Sequence, residues 1–200
     1  MAELGAVCVY CGSNKGRKPA YEAAARTLGR SLAAEGIGLV YGGGGIGLMG
    51  VVARSVLEAG GHVTGIIPGF LREREAKFDA VTDLHVVETM HERKQLMFDR
   101  ADAFVVLPGG IGTLEETIEM LTWAQLQAHA KPILLLNVDG YWTPLVALLD
   151  HVVAEGFARP SVHDLWHVIT HAEDVVPTLR RLCARPREPL APAAGGPEVL

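Results

Sequence analysis

Three glycines and two adjacent glutamates fall within the ten residues Leu107-Pro108-Gly109-Gly110-Ile111-Gly112-Thr113-Leu114-Glu115-Glu116. Glycine lets backbone approach a ligand closely, and the first turn of a helix presents unpaired N–H groups with a partial positive charge. Ahead of the stretch, Ala103-Phe104-Val105-Val106-Leu107 reads as a strand buried on both faces; behind it, Ile118, Leu121, Trp123 and Leu126 recur at helical spacing. A strand-to-helix turn of this kind suits a phosphate. Glu115 and Glu116 would repel that phosphate unless aimed at another part of the same ligand, which points to a phosphorylated substrate that reacts next to its phosphate. The same letters also spell a capping box, with Thr113 capping the helix and Glu116 reaching back to the cap N–H. Spacing leaves both readings open.

Two further positions carry candidate chemistry. On a helix expected over Met90 to Ala101, Met90, Met97 and Ala101 form an apolar stripe, and Arg93 falls three residues after Met90 and four before Met97. A guanidinium on a buried stripe needs a partner, either a structural acid or a ligand. Ser13 follows the apolar run Ala6 to Tyr10, where a hydroxyl at the carboxyl end of a strand serves a turn or a ligand. A second glycine-rich stretch, Gly42-Gly43-Gly44-Gly45-Ile46-Gly47, contains G-x-G-x-x-G. A dinucleotide site also needs an acid about 20 residues on, at the end of the next strand, and that strand, His62 to Ile67, ends in Pro68. A loop that lets a nucleotide lie against the sheet edge is the better expectation.

Pro108 to Glu116 matches PGGxGTxxE. With Met90-His91-Glu92-Arg93-Lys94 before it and Thr122-Trp123-Ala124-Gln125-Leu126 after it, the segment resembles the Lonely Guy (LOG) family of cytokinin riboside 5′-monophosphate phosphoribohydrolases, often mislabelled lysine decarboxylases. The resemblance extends from about Ala6 to about His171. It implies cleavage of the N-glycosidic bond of an N6-modified adenosine 5′-monophosphate to free base and ribose 5-phosphate, with Arg93 and Glu116 as the catalytic pair. Substrate contacts are expected from Ser13, Glu75, Arg93 and Lys94, from Gly110, Ile111, Gly112, Thr113, Leu114, Glu115 and Glu116 in the central turn, and from Thr122. It also implies a homodimer and no cofactor.

Strand and helix must alternate to place these residues. Strands are expected at Ala6–Tyr10, Gly38–Tyr41, His62–Ile67, Leu84–Glu88, Ala103–Leu107, Lys131–Asn137 and His167–Thr170; helices at Pro19–Glu35, Leu48–Ala59, Met90–Ala101, behind Thr113, Thr143–Ala154 and Glu173–Cys183. The pattern predicts an α/β fold, a Rossmann-like, doubly wound, mostly parallel sheet with helices on both faces in a single domain over residues 1–183. Residues 184–200, rich in Pro, Ala and Gly, are expected to be a disordered tail, and Gly69 to Asp83 a charged surface excursion.

Composition bounds the partners. Two hundred residues, 49% of them hydrophobic, suit one such domain, and a net charge of −5 supplies no basic field for nucleic acid or an anionic membrane. Three cysteines without a second metal-ligand pair, eight histidines without an H-x-x-x-H on one helix, and no apolar run approaching ~20 residues predict reduced thiols, no metal, no membrane span and a cytoplasmic location. Two other functions remain in play. One is a nucleotide or cofactor carrier on the same scaffold; the other is amino-acid decarboxylation, for which no lysine lies in a recognisable pyridoxal phosphate context.

Overall fold

The computed structural model describes residues 4–72 and 81–184. The strands are β1 (Ala6–Tyr10), β2 (Gly38–Tyr41), β3 (Val63–Pro68), β4 (Asp83–Val87), β5 (Ala103–Val106), β6 (Ile133–Leu136) and β7 (His167–Ile169). The helices are α1 (Pro19–Ala34), α2 (Gly47–Glu58), α3 (Gly69–Arg72), α4 (Met90–Asp99), α5 (Ile111–Gln125), α6 (Thr143–Ala154) and α7 (Val175–Cys183). Every strand pair is parallel, in the order β4-β3-β2-β1-β5-β6-β7.

Side chains that alternate along each strand divide the interior into two cores. Val7 and Val9 of β1, with Ala103 and Val105 of β5, meet α1, α2 and α7; Cys8 and Tyr10, with Phe104 and Val106, meet α4, α5 and α6. This two-sided burial is why the central strands read as unbroken apolar runs. The chain builds β1 to β4 outward in one direction, then returns to lay β5 against the other side of β1. That reversal creates a crevice beyond the carboxyl ends of β1 and β5, the place where open α/β sheets hold ligands.

The expected elements are present: Ala6–Tyr10, Gly38–Tyr41 and Thr143–Ala154 have the expected bounds, and the ends of the others are displaced by no more than three residues. Two differences bear on the site. The apolar face of α5 consists of Met120, Leu121 and Ala124, while Ile118 and Leu126 stand exposed. On α4, Met97 is fully buried but Met90 is exposed, because the helix starts at Met90 with its first turn outside the core. Glu75 and residues 185–200 of the expected tail lie outside the described residues. Among the described residues no helix is long and apolar enough to cross a membrane, and no group of three or more metal-ligating side chains gathers.

Candidate active site

A cleft of about 190 Å³ opens at the crevice between β1 and β5. Its walls are the end of β1 (Val9, Tyr10, Cys11), Ser13, Gly42 beyond β2, Met49 of α2, Arg93 and Met97 of α4, and Gly110, Ile111, Gly112, Thr113 and Glu116 of the central turn.

Three helices start around this cleft, and their first turns are satisfied differently. On α4, the Thr89 hydroxyl accepts from the Glu92 N–H at 3.1 Å, a side-chain cap. On α2, the Leu48 and Met49 N–H groups donate to the Gly12 carbonyl at 3.0 and 3.4 Å, so the chain's own backbone occupies the place where a phosphate would sit. The α5 start has no side-chain cap, and its first intrahelical bond runs from the Leu114 N–H to the Gly110 carbonyl at 3.0 Å. The N–H groups of Ile111, Gly112 and Thr113 precede that ladder and lie at the cleft.

This arrangement overturns the capping box. The helix begins three residues earlier than the Thr113 cap requires: Gly110 is the N-cap, and Thr113 is already the third helical residue. The earlier start follows from the turn before it, where the Pro108 carbonyl accepts from the Gly12 N–H at 3.1 Å and the Gly109 carbonyl from the Tyr141 hydroxyl. Glu116 therefore reaches across to Arg93, with Nη1 to Oε1 at 3.2 Å.

The ion pair is buried, at 8% exposure for Arg93 and 7% for Glu116. Arg93 Nε also donates to the Ile66 carbonyl of β3 at 3.2 Å. Gly42 supplies the remaining room: a Cβ there would overlap Arg93 Nη2. The guanidinium is thus fixed from β2, β3 and α5, and it holds one carboxylate at the cleft wall. Beside them, burial and the charge of Glu116 push the Cys11 thiol up, so it stays protonated and is no nucleophile at neutral pH.

The glycine stretch after β2 meets the cleft at one point. Among its glycines only Gly42 reaches the cleft, and a Cβ on Gly43 would meet Ile67 while one on Gly47 would overlap the Ser13 backbone. At Gly43 and Gly47 the room that glycine leaves is used by packing.

Of the sequence-selected residues, the fold brings Ser13, Arg93, Gly110, Ile111, Gly112, Thr113 and Glu116 together on the cleft. Lys94, Leu114, Glu115 and Thr122 lie outside its lining. Lys94 Nζ instead bridges Glu115 and Glu119 of α5, at 2.5 and 2.9 Å. Burial alone would lower its pKa, but the hydrogen bonds to the two carboxylates outweigh that and raise it. The Thr122 hydroxyl, exposed, donates to the Ile118 carbonyl of its own helix at 2.7 Å. Sequence reasoning missed Met49 and Tyr141, whose contacts cross between elements distant in the chain. Among the described residues no lysine lines the cleft.

Residues 49–179 match a family model described as possible lysine decarboxylase. The chain is 50% identical over 182 residues to cytokinin riboside 5′-monophosphate phosphoribohydrolase LOG of Oryza sativa subsp. japonica, covering 91% of this chain and 72% of that protein. It is 47% identical over 173 residues to LOG3 of Arabidopsis thaliana, covering 86% and 80% respectively. Among solved structures, the molybdenum cofactor carrier protein of Chlamydomonas reinhardtii superposes with a TM-score of 0.69 at 22% identity over 92% of this chain and all of that one, a likeness of fold. The PGGxGTxxE turn, the Arg93–Glu116 pair it supports and these identities place the chain in the LOG family of cytokinin riboside 5′-monophosphate phosphoribohydrolases.

Proposed function

We propose that the protein hydrolyses the N-glycosidic bond of a nucleoside 5′-monophosphate, with adenine or N6-modified adenine as the base, to give free base and ribose 5-phosphate. The observation that carries this reading is a buried carboxylate, Glu116, clamped by Arg93 on the wall of a cleft whose neighbouring wall is an uncapped helix start. The N–H groups of Ile111, Gly112 and Thr113 hold the 5′-phosphate, with the Thr113 hydroxyl beside them. Glu116 then faces the sugar rather than the phosphate. As the bond to the base breaks, positive charge develops at the anomeric carbon; the carboxylate stabilises it and orients the attacking water. Arg93 keeps the carboxylate aimed.

Cleft size fits the same assignment. A volume of about 190 Å³ lies under the ~300 Å³ at the low end for small-molecule sites, so the cleft takes the ribose 5-phosphate and leaves the base toward its mouth. Glu75 is assigned to the base side by family resemblance alone. We further read residues 1–183 as one nucleotide-binding domain that works in the cytoplasm without nucleic acid. It pairs as a homodimer, with the exposed Ile118 and Leu126 of α5 as dimer contacts; sedimentation of a monomer would remove that claim.

The test is chromatography of pure protein incubated with AMP and with N6-isopentenyl AMP. Stoichiometric release of base and ribose 5-phosphate is expected. Tight binding of either nucleotide without turnover would favour the carrier reading instead.

A further inference from the structure

Tyr141 lies outside the cleft, yet it holds the peptide that faces the phosphate site. Its hydroxyl donates to the Gly109 carbonyl. Peptide bonds among the described residues are all trans, so the Gly109 carbonyl and the Gly110 N–H point in opposite directions. With the carbonyl drawn toward Tyr141, the Gly110 N–H points away from Tyr141, at a residue that lines the cleft together with Ile111, Gly112 and Thr113. The fixation matters because this peptide joins two glycines. A Gly–Gly peptide can rotate as a unit at little steric cost, and the flipped form would aim a carbonyl oxygen at an anion.

The brace itself is rigid. The Tyr141 ring packs edge-on against Tyr21 and Trp142, with centroids 5.5 and 4.8 Å away. Trp142 donates its indole N–H to the Val106 carbonyl of β5 at 3.2 Å, and its backbone N–H to Asn137 Oδ1 at 2.6 Å. The segment after β6 thus grips the end of β5 at two successive residues.

We propose that Tyr141 is a positioning residue for the 5′-phosphate, acting by locking the Gly109–Gly110 peptide with its N–H turned into the cleft. The proposal rests on the phosphoribohydrolase reading and deepens it. Tyr141→Phe keeps the ring contacts and removes only the hydroxyl. The expected result is a roughly tenfold fall in kcat/KM for AMP, carried mainly by KM, the size of one lost hydrogen bond. Cleavage of adenosine, which has no phosphate, should be unchanged, and so should the melting temperature to within a few degrees. Inorganic phosphate as an inhibitor should weaken in parallel. Equal losses for AMP and adenosine would reveal a merely structural tyrosine and overturn the proposal, as would unchanged KM for AMP. If the wild-type protein releases no base from AMP, the hydrolase reading fails on its own. Calorimetric binding of inorganic phosphate then decides for Tyr141: weaker binding by the Phe variant supports the brace, whereas equal binding, or no binding by wild type, ends it.

Discussion

Two glycine-rich strand-to-helix turns stand on either side of β1 at the carboxyl edge of the sheet, and they spend most of their glycines in opposite ways. In the turn after β2, the space a Cβ would need is already filled: at Gly42 by the Arg93 guanidinium, at Gly43 by Ile67, at Gly47 by the Ser13 backbone. The following helix start is closed by the Gly12 carbonyl. In the turn after β5, Gly109 is closed by the Thr113 side chain, but Gly110 and Gly112 have nothing within 4 Å of where a Cβ would be, and the helix start is uncapped. Glycine content alone says that backbone comes close to something. Only the fold says whether that something is the protein itself or a ligand.

The strongest way to break the comparison is Gly47→Ala. Gly47 has φ +61, and its Cβ would overlap the Ser13 backbone, so the substitution adds left-handed strain to a clash that no side-chain rotation relieves. A loss of about 3–5 kcal/mol is expected, read as a fall in the denaturant midpoint. A stable, active Gly47→Ala protein would mean that the first turn is not a packed joint.

Next in size is Glu116→Gln, which asks whether the open turn serves chemistry. Removing the charge while keeping the shape should lower kcat by about 10² to 10³. It also leaves Arg93 as a buried cation without its counter-ion, so stability should fall by about 3 kcal/mol at most, and turnover has to be measured on protein shown to be folded. Near-wild-type kcat would reduce the pair to a structural salt bridge.

The two turns and the elements around them were legible in the sequence; the contrast between them was not. The alternating order of elements and the two-sided burial of β5 follow from periodicity and composition, because a strand covered by helices on both faces can only be apolar throughout. Arg93 was legible from its place on a buried stripe, and Glu116 from its spacing, although spacing could not separate cap from catalyst. That choice depended on where α5 starts, which is set by Gly12 and Tyr141, residues 96 and 32 positions away from Pro108 and Gly109, which they hold. For the same reason the filling of the first glycine turn was invisible: Arg93, Ile67 and Ser13 reach it only in the folded chain. Lys94 and Thr122, chosen by resemblance to a family motif, lie on the cleft's outer surroundings, since a motif records order along the chain and not the direction a side chain takes.

A smaller or comparable effect separates the two turns through the substrate. If the donors of the second turn are there for a phosphate, adenosine leaves them facing water or nothing. Sites built on a polar group discriminate against its absence by up to roughly 10⁴, but an open cleft admits water to the vacated donors. Cleavage of adenosine should therefore be at least ~10²-fold less efficient than that of AMP, measured as kcat/KM. Equal values would make the second turn a chain reversal like the first.

The smallest effect, and the most selective, belongs to Gly112→Ala. Gly112 is the second residue of α5, without the positive φ that marks Gly47, and nothing lies within 4 Å of the added methyl, so no clash opposes the change. Helix propensity then favours alanine, by about 0.5 kcal/mol, allowing for the partial helical order of a first turn. A glycine retained for folding would be a strange choice at such a position; a glycine retained for close approach of a phosphate would not. The variant should accordingly melt slightly higher than wild type while its KM for AMP rises several-fold and its KM for adenosine stays put. The opposite pattern, lower stability with unchanged KM for AMP, would show that the empty space beside Gly112 serves folding, and the difference between the two turns would be one of packing density alone.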